Sequence, residues 1–296
     1  MPIPIPEALS DGSALAKVKA GQVRGLPRYL LLSAFAGAFV GVAVVLLVSV
    51  SGPLVAAGHP MAKLIQGAVF GVALTLVVFA GAELVTGNAM TMLQGLWVGA
   101  VRGRDVAAVW AASLFGNLVG SLAFAALVHG GGTLHAGAAP GKAAPGEALV
   151  ASMVAAKDAA SGSQLFWRAL LCNMLVCLAL WMASRTKSDG AKLAVLWWAL
   201  LAFIASGFEH SVANMTLFGL GIFQGSATWG ELARNLLWTV PGNVVGGGLL
   251  VGLGYAWIGR PSPKPDAVAE RVDGTVIVVD GSVAGDTLPS PVGAPV

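Results

Sequence analysis

The sequence predicts an all-α protein that spans a membrane, and three observations support this fold class. The 296 residues are 56% hydrophobic and only 10% charged, a composition far from that of a soluble surface. Apolar runs long enough to cross a hydrocarbon layer of about 30 Å recur along the chain. One set of motifs also occurs twice inside these runs. We therefore expect a membrane domain built from two related halves.

The repeat is defined by a constant spacing between its two copies. Each member of the first copy recurs 126 positions later, as the difference 207 − 81 shows for the first pair of glycines. The first copy comprises Gly81, Glu83, Asn88, Gly116, Asn117 and Gly120, and the second comprises Gly207, Glu209, Asn214, Gly242, Asn243 and Gly246. A duplicated unit that carries a carboxylate at membrane depth indicates a translocation site between the two halves.

The apolar runs predict six crossings. They lie at about residues 29–50, 62–100, 106–128, 165–183, 191–220 and 233–258. A straight helix as long as the second run would extend for about 60 Å, so we expect the second and fifth crossings to be interrupted. Three crossings per copy is an odd number, which predicts opposite orientations for the two copies and hence an inverted 3+3 repeat.

The positive charges predict the topology. With six crossings, twelve of the 17 Lys and Arg residues fall on the side of the N terminus, so both termini are expected in the cytoplasm. Residues 1–28 are predicted to be a cytoplasmic segment with a short amphipathic helix on the membrane surface. Residues 29–258 form the predicted membrane domain, and residues 259–296 are predicted to be a disordered cytoplasmic tail.

Composition also limits the partners of the chain. The formal net charge of +3 is small, so nucleic acid is not an expected partner. Cys172 and Cys177 lie five positions apart in one apolar run, where a helix would point them in different directions. We interpret both as packing residues and expect no disulfide, metal or cofactor.

Glu209 and His210 lie together in the second copy of the motif. An ionisable side chain within a crossing costs about 3 kcal/mol on insertion scales, which favours a functional role. Because histidine changes charge near neutral pH, His210 is a candidate to donate a hydrogen bond to an anion or to transfer a proton to it. The alternative is a buried histidine that only packs. Glu209 is expected to tie down the interrupted backbone.

The first copy offers Glu83, Thr86, Gly87 and Asn88 at the matching place. Gly87 and Asn88 tolerate an irregular turn, which would put the Thr86 hydroxyl in the pore. The alternative for Thr86 is a hydrogen bond to its own helix backbone. Glu83 is expected to brace the loop by accepting hydrogen bonds from the freed N–H groups.

Four further residues are candidates in the translocation site. Lys157 would attract anions in an outer vestibule, or else snorkel at the interface. Asn173 and Asn243 either serve the pore or join helices through hydrogen bonds. Phe203 lies seven residues before His210, hence on the same helical face, where its ring would narrow the pore or simply pack.

These motifs resemble those of the formate/nitrite transporter family. GAELVTGN, GNLVGS and WTVPGNVVGG fit the family, and the run from LCNMLVCLALW to ASGFEHSVANMTLFGL is similar to its nitrite channel branch. The similarity covers about residues 20–258. It implies an aquaporin-like six-helix protomer, five of which assemble into a homopentamer in the bacterial cytoplasmic (inner) membrane.

The resemblance also implies a set of site residues. The pore and substrate positions fall on His210, Thr86, Glu209, Lys157, Asn173 and Asn243, and the constriction positions fall on Phe70, Leu74, Leu84 and Phe203. Two positions depart from the family pattern. A phenylalanine frequent before the threonine is Val85 here, which predicts a wider inner constriction, and histidine occurs in place of Asn88 in similar proteins.

The implied function is the passage of a small monovalent anion, most simply nitrite, with formate and hydrosulfide as alternatives. His210 would either protonate the anion at the narrowest point or stay neutral and pass it by hydrogen bonding. A neutral-solute pore of the aquaporin type is the candidate from another class, although no Asn-Pro-Ala motif occurs. An enzyme is not expected, because no catalytic motif accompanies the apolar runs.

Overall fold

The computed structural model describes residues 1–138 and 140–260, together with the backbone of residues 268–272 and 275–279. Up to residue 260 the regular secondary structure of the described residues is helical. A 3₁₀ turn lies at Thr133–His135 and a π-helix at Val244–Leu253. The α-helices are α1 (Ile5–Gln22), α2 (Leu26–Ala56), α3 (Ala62–Phe70), α4 (Val72–Phe79), α5 (Val85–Trp97), α6 (Gly103–Gly130), α7 (Pro145–Asp158), α8 (Gly162–Ser184), α9 (Asp189–Ala205), α10 (Ser211–Phe223), α11 (Trp229–Asn243) and α12 (Gly254–Ile258).

Within the described residues, five helical stretches are long and apolar enough to cross a membrane. They are Leu26–Ala56, Ala62–Phe79, Gly103–Gly130, Gly162–Ser184 and Trp229–Ile258. The apolar helix α10 has only 13 residues, fewer than the ~20 that a crossing needs. The predicted class, an all-α membrane protein, is confirmed by this helical content and by the apolar length of the five stretches.

The two long apolar runs are interrupted where the repeat predicts. Helix α4 ends at Phe79 and α5 begins at Val85, while α9 ends at Ala205 and α10 begins at Ser211. Gly81 and Gly207 have φ values of 79° and 73°, a left-handed conformation that glycine adopts without a steric penalty. The two breaks therefore have the same glycine backbone conformation at equivalent positions of the repeat.

Repeated glycines let two pairs of helices approach closely. A Cβ atom on Gly120 of α6 would overlap the carbonyl of Ala34 in α2, and one on Gly246 would overlap the carbonyl of Leu170 in α8. Gly246 lies in the π-helix, which the sequence did not predict. The last glycine of each GNxVG motif thus lies against a backbone carbonyl of a neighbouring helix. In the second motif this glycine belongs to a π-helix, whose turns are wider than those of an α-helix.

The ends of the chain differ from the prediction in two respects. Helix α1 packs against α5, where Ala16 faces Gly95, and the side chain of Lys19 in α1 is buried. The predicted surface helix is therefore part of the membrane domain. In the predicted tail, Val268–Val272 and Thr275–Val279 pair as antiparallel strands β1 and β2. The rest of the tail, for which disorder was predicted, lies outside the described residues.

Alanine at the repeated glycines tests the close contacts. We expect Gly120→Ala and Gly246→Ala each to lower the free energy of unfolding by about 1–3 kcal/mol or more, because the added methyl group overlaps a backbone carbonyl. The measurement is the unfolding temperature of the detergent-solubilised protein, followed by tryptophan fluorescence. Gly130→Ala is the control, since a Cβ there meets no described atom within 4 Å. Equal unfolding temperatures for all three variants would contradict the packing account.

Candidate functional site

The two breaks bring Thr86 and His210 together. Thr86 is the second residue of α5, and His210 is the N-cap of α10. Thr86 Oγ1 lies 3.1 Å from His210 Nε2, and the two residues are only 2% and 4% exposed. Because both side chains lie at helix N termini, the partial positive charge of two helix ends acts at the same place. The sequence predicts both residues as pore candidates, and the structure brings their side chains into contact.

The surroundings of His210 define which ring nitrogen carries the proton. The backbone N–H of Ala213 donates to His210 Nδ1 at 3.1 Å, so Nδ1 is the acceptor. In the neutral ring the proton is therefore on Nε2, where it is donated to Thr86 Oγ1. The Thr86 hydroxyl has no other hydrogen-bond partner among the described residues. Its own hydrogen is thus available to a substrate.

The freed backbone groups of the first break are bound by Asn117. Its Oδ1 accepts from the Val85 N–H at 2.9 Å, and its Nδ2 donates to the carbonyl oxygens of Glu83 at 2.8 Å and Ser33 at 2.7 Å. A buried backbone group without a partner costs about 1–3 kcal/mol. Asn117 therefore fixes the turn that places Thr86, a role that the sequence prediction had given to Glu83.

Asn243 makes the equivalent bonds at the second break. Its Oδ1 accepts from the Ser211 N–H at 2.9 Å, and its Nδ2 donates to the carbonyl oxygens of Glu209 at 3.0 Å and Ala169 at 2.7 Å. This amide is fully used in joining helices to the loop, the second of the two roles considered for it. His210 follows Glu209 directly, so Asn243 fixes its position through the backbone.

Asn173 and Cys177 hold the Thr86 backbone from α8. Asn173 Nδ2 donates to the carbonyl oxygen of Thr86 at 3.0 Å and to that of Asn243 at 2.7 Å. Cys177 Sγ lies 3.3 Å from the same Thr86 oxygen and is a weak donor to it. Both cysteines are free, as predicted. Cys177 nevertheless does more than pack, because it contacts the loop that carries Thr86.

Glu83 is paired with a lysine of α1. Lys19 Nζ lies 2.7 Å from both carboxylate oxygens of Glu83, and Tyr29 and Asn88 donate to the Oε2 atom at 3.2 and 3.1 Å. The expectation that Glu83 accepts from freed backbone N–H groups is wrong, since its partners are side chains. Lys19 was not predicted as a site residue, because it lies outside the repeat.

Glu209 has the matching arrangement in the second copy. Lys157 Nζ lies 2.7 Å from Glu209 Oε2, and Asn214 Nδ2 donates to the same oxygen at 2.8 Å. Both charges are largely buried, with side chains 15% and 4% exposed. Lys157 therefore neutralises a buried carboxylate, and its charge is not the free one that an attracting vestibule lysine would carry.

Aromatic and aliphatic side chains surround the Thr86–His210 pair. The Phe203 ring stacks on the His210 ring at a centroid distance of 6.0 Å and contacts Phe70 edge-on at 5.7 Å. Leu74 and Leu84 are buried in the same apolar cluster. All four predicted constriction residues thus lie in one apolar region, and Phe203 directly covers one face of the imidazole.

Two cavities border this apolar region. The larger, here called the α1 cavity, has a volume of about 550 Å³ and is lined by residues of α1 together with Glu83, Leu84, Gly87 and Asn88. The smaller has a volume of about 40 Å³ and is lined by His210, Phe203 and Lys157. His210 thus lines the smaller cavity, and Leu84 and Gly87, which lie on either side of Thr86 in the chain, line the larger one.

Comparison with known proteins identifies the class of this site. The profile of the family described as Formate/nitrite transporter matches residues 7–257. The chain belongs to the formate/nitrite transporter family. The members found by these comparisons are named channels and transporters, so the expectation of a transport protein rather than an enzyme is confirmed.

Individual relatives match most of the chain. It is 40% identical to "Nitrite transporter NirC" of Salmonella typhimurium, over 90% of this chain and 94% of that protein. It is 38% identical to "Probable formate transporter" of Methanothermobacter thermautotrophicus, over 82% and 92%. Among solved structures, "FNT family ion channel" matches with a TM-score of 0.78 and 40% identity, over 86% of this chain and 99% of that one. "Pentameric formate channel with formate bound" matches with a TM-score of 0.67 and 26% identity, over 80% and 98%.

A double-mutant cycle tests whether Lys157 and Glu209 depend on each other. We expect Lys157→Met alone to lower the free energy of unfolding by about 3–5 kcal/mol, because it leaves a buried carboxylate without a counter-charge. Adding Glu209→Gln to Lys157→Met should recover part of this loss. The control is Lys192→Met. Asp189, the partner of Lys192, is 73% exposed, so this variant should lower the free energy of unfolding by less than about 1 kcal/mol. Additive effects of the two mutations would show that the pair is not coupled.

Proposed function

We propose that this protein is a channel for small monovalent anions and that nitrite is its physiological substrate. The observation that carries the proposal is the contact between Thr86 Oγ1 and His210 Nε2 at two converging helix N termini. The site offers hydrogen-bond donors and partial positive charge inside an apolar wall, a combination suited to a small anion. The name of the 40% identical relative supports nitrite over formate.

The proposed channel has six crossings in an inverted arrangement. Two of them are interrupted: α3 and α4 continue through the first break into α5, and α9 continues through the second break into α10. The equivalent hydrogen bonds of Asn117 and Asn243 at the two breaks support the inverted repeat.

The charge distribution supports cytoplasmic termini in the inner membrane of a bacterium. In that orientation the α1 cavity is the inner vestibule. The pentameric neighbour supports a homopentamer with one pore in each subunit.

The two buried ion pairs make the path compatible with an anion. A free carboxylate at the position of Glu83 or Glu209 would repel a negative substrate strongly in a low-dielectric environment. Lys19 and Lys157 cancel these charges at 2.7 Å. The net electrostatic contribution near the Thr86–His210 pair is then that of the helix ends and of neutral donors. Such donors bind an anion weakly enough for it to leave again.

In the proposed mechanism His210 stays neutral. A second proton would have to go on Nδ1, which already accepts from the Ala213 N–H, so protonation would break the cap of α10. The neutral ring instead donates through Nε2 to Thr86 Oγ1, and the Thr86 hydroxyl donates onward to the anion. Phe203 and Leu84 exclude water on the two sides. Hydrogen bonding thereby replaces part of the lost hydration of the anion.

Substitution of Thr86 tests the anion function. We expect Thr86→Val to reduce nitrite uptake into proteoliposomes by about tenfold, because a methyl group of the same size replaces the donor. Thr86→Ser keeps the hydroxyl and should retain most of the uptake. Glycerol permeability, followed by osmotic swelling, should not exceed that of empty liposomes. Glycerol flux through the wild-type protein without nitrite flux would instead favour a neutral-solute pore.

Substitution of His210 separates a neutral donor from a proton donor. His210→Asn keeps a side-chain acceptor for the Ala213 N–H, since asparagine is a good N-cap, but removes the Nε2 donor. We expect a slower nitrite flux with an unchanged number of protons moved per nitrite. The measurement combines a nitrite assay with a pH-sensitive dye in liposomes, corrected for empty liposomes. Proton movement that is coupled in the wild type and lost in the variant would show that His210 supplies the proton.

A further inference from the structure

We propose that the α1 cavity contains a second anion-binding subsite, formed by the side-chain N–H groups of Gln94 and Trp181. The proposal rests on the proposed anion function. It adds a binding step at the end of the anion path where α1 lies. An anion would pause at this subsite before it reaches Thr86 and His210, or after it leaves them.

Gln94 and Trp181 carry donors that the fold leaves without partners. Gln94 Nε2 and Trp181 Nε1 are buried, and neither has a hydrogen-bond partner in the described part of the chain. The two residues are only 1% and 2% exposed. A buried indole N–H or amide N–H normally has a partner, because an unmatched donor costs about 1–3 kcal/mol. Two such donors close to one cavity therefore suggest a ligand that accepts hydrogen bonds.

Both residues line the α1 cavity on neighbouring helix turns. Trp181 packs with Ala8 and Met90 in one cluster of buried residues. Gln94 lies one turn after Met90, and its amide approaches Gly12, which lies one turn after Ala8. The two residues therefore lie on adjacent parts of the cavity wall, where α1, α5 and α8 meet. A small anion has two or three acceptor oxygens, so one anion can accept from both donors, directly or through a water molecule.

One face of α5 lines the cavity from Gln94 to the first turn of the helix, where Thr86 also lies. Gly87, Thr91 and Gln94 all line the α1 cavity and follow one another at spacings of four and three residues, which places them on one helix face. Gln94 lies eight residues after Thr86, or about 12 Å along the helix axis. The subsite is thus separate from the Thr86–His210 pair, although Gln94 and Thr86 lie on the same helix.

The polar groups at the cavity favour an anion over a cation. Lys19 and Lys192 line the cavity, where the first is paired with Glu83 and the second with the exposed Asp189, so the Glu83 carboxylate does not repel an anion. The two unpartnered atoms are N–H donors. The Trp181 ring is held in place by Tyr255 at a centroid distance of 4.7 Å, so its N–H has a fixed direction. The Gln94 amide turns about a broad terminal torsion and can direct an N–H group to the ligand.

Transport from each side of the membrane tests the subsite. Trp181→Phe removes the indole N–H but keeps an aromatic ring, and Gln94→Met removes the amide at similar length. We expect each variant to raise the half-saturating nitrite concentration about fivefold in inverted vesicles, where α1 faces the bath. In right-side-out vesicles the change should stay below about twofold. Equal shifts on both sides, or none on either, would overturn the proposal.

Matched variants control for effects on folding. Gln66→Met removes an amide that bonds Ser51 outside the α1 cavity, and Trp198→Phe changes a ring that is 63% exposed. Neither should alter the half-saturating concentration from either side. Gln94→Met and Trp181→Phe also leave the contact between Thr86 and His210 in place. A general loss of folding would lower the maximal flux equally from both sides.

Bromide provides a test that does not depend on nitrite transport. Crystals of the wild-type protein in sodium bromide should show an anomalous peak within contact distance of Gln94 and Trp181, and Gln94→Met should weaken this peak. An adventitious ion only, with the same peak in wild type and variant, would overturn the subsite. If the wild type carries no nitrite, the proposed substrate fails, and the bromide peak still decides whether the cavity binds an anion.

Discussion

The structure depends on one constraint, which is that backbone groups freed inside a membrane domain need partners within the protein. Water is absent from the hydrocarbon region, so a break in a helix is stable only where side chains bind its N–H and C=O groups. Asn117 and Asn243 meet this need with three hydrogen bonds each. Asparagine suits the task because one amide both accepts and donates. Without these bonds, neither Thr86 nor His210 would have a fixed position.

The same constraint explains why the charged residues occur in pairs. Glu83 and Glu209 each accept from the asparagine five residues ahead, which ties the break to the first turn of the next helix. A carboxylate in this position needs a counter-charge, because an isolated buried ion would be costly. The counter-charges come from α1 and α7, through Lys19 and Lys157. Helix α1 is therefore held to the membrane domain by an ion pair as well as by small-residue packing.

The repeat made much of the central architecture predictable. Motifs 126 positions apart located both breaks, and the glycine and asparagine chemistry at these breaks followed from residue type. The family resemblance placed Thr86 and His210 among the pore positions, and the structure brings the two side chains into contact. Lys19 could not be predicted, because its partner Glu83 is 64 residues away and no repeat marks it. The π-helix after Asn243 depends on how three successive glycines pack against α5 and α8, a tertiary effect without a local sequence signal.

The scaffold is duplicated, but the chemistry at its centre is not. The repeat partner of His210 is Leu84, since 210 − 126 = 84, and both residues precede a helix in an extended conformation. The side chain of His210 caps α10, whereas Leu84 provides no side-chain cap to α5. The partner of Thr86 is likewise the apolar Val212. Each half therefore contributes one polar and one apolar residue, from different positions of the repeat. Two histidines or two threonines would present identical groups to each other. An imidazole and a hydroxyl instead form one directed hydrogen bond, which leaves the Thr86 hydrogen free for the substrate.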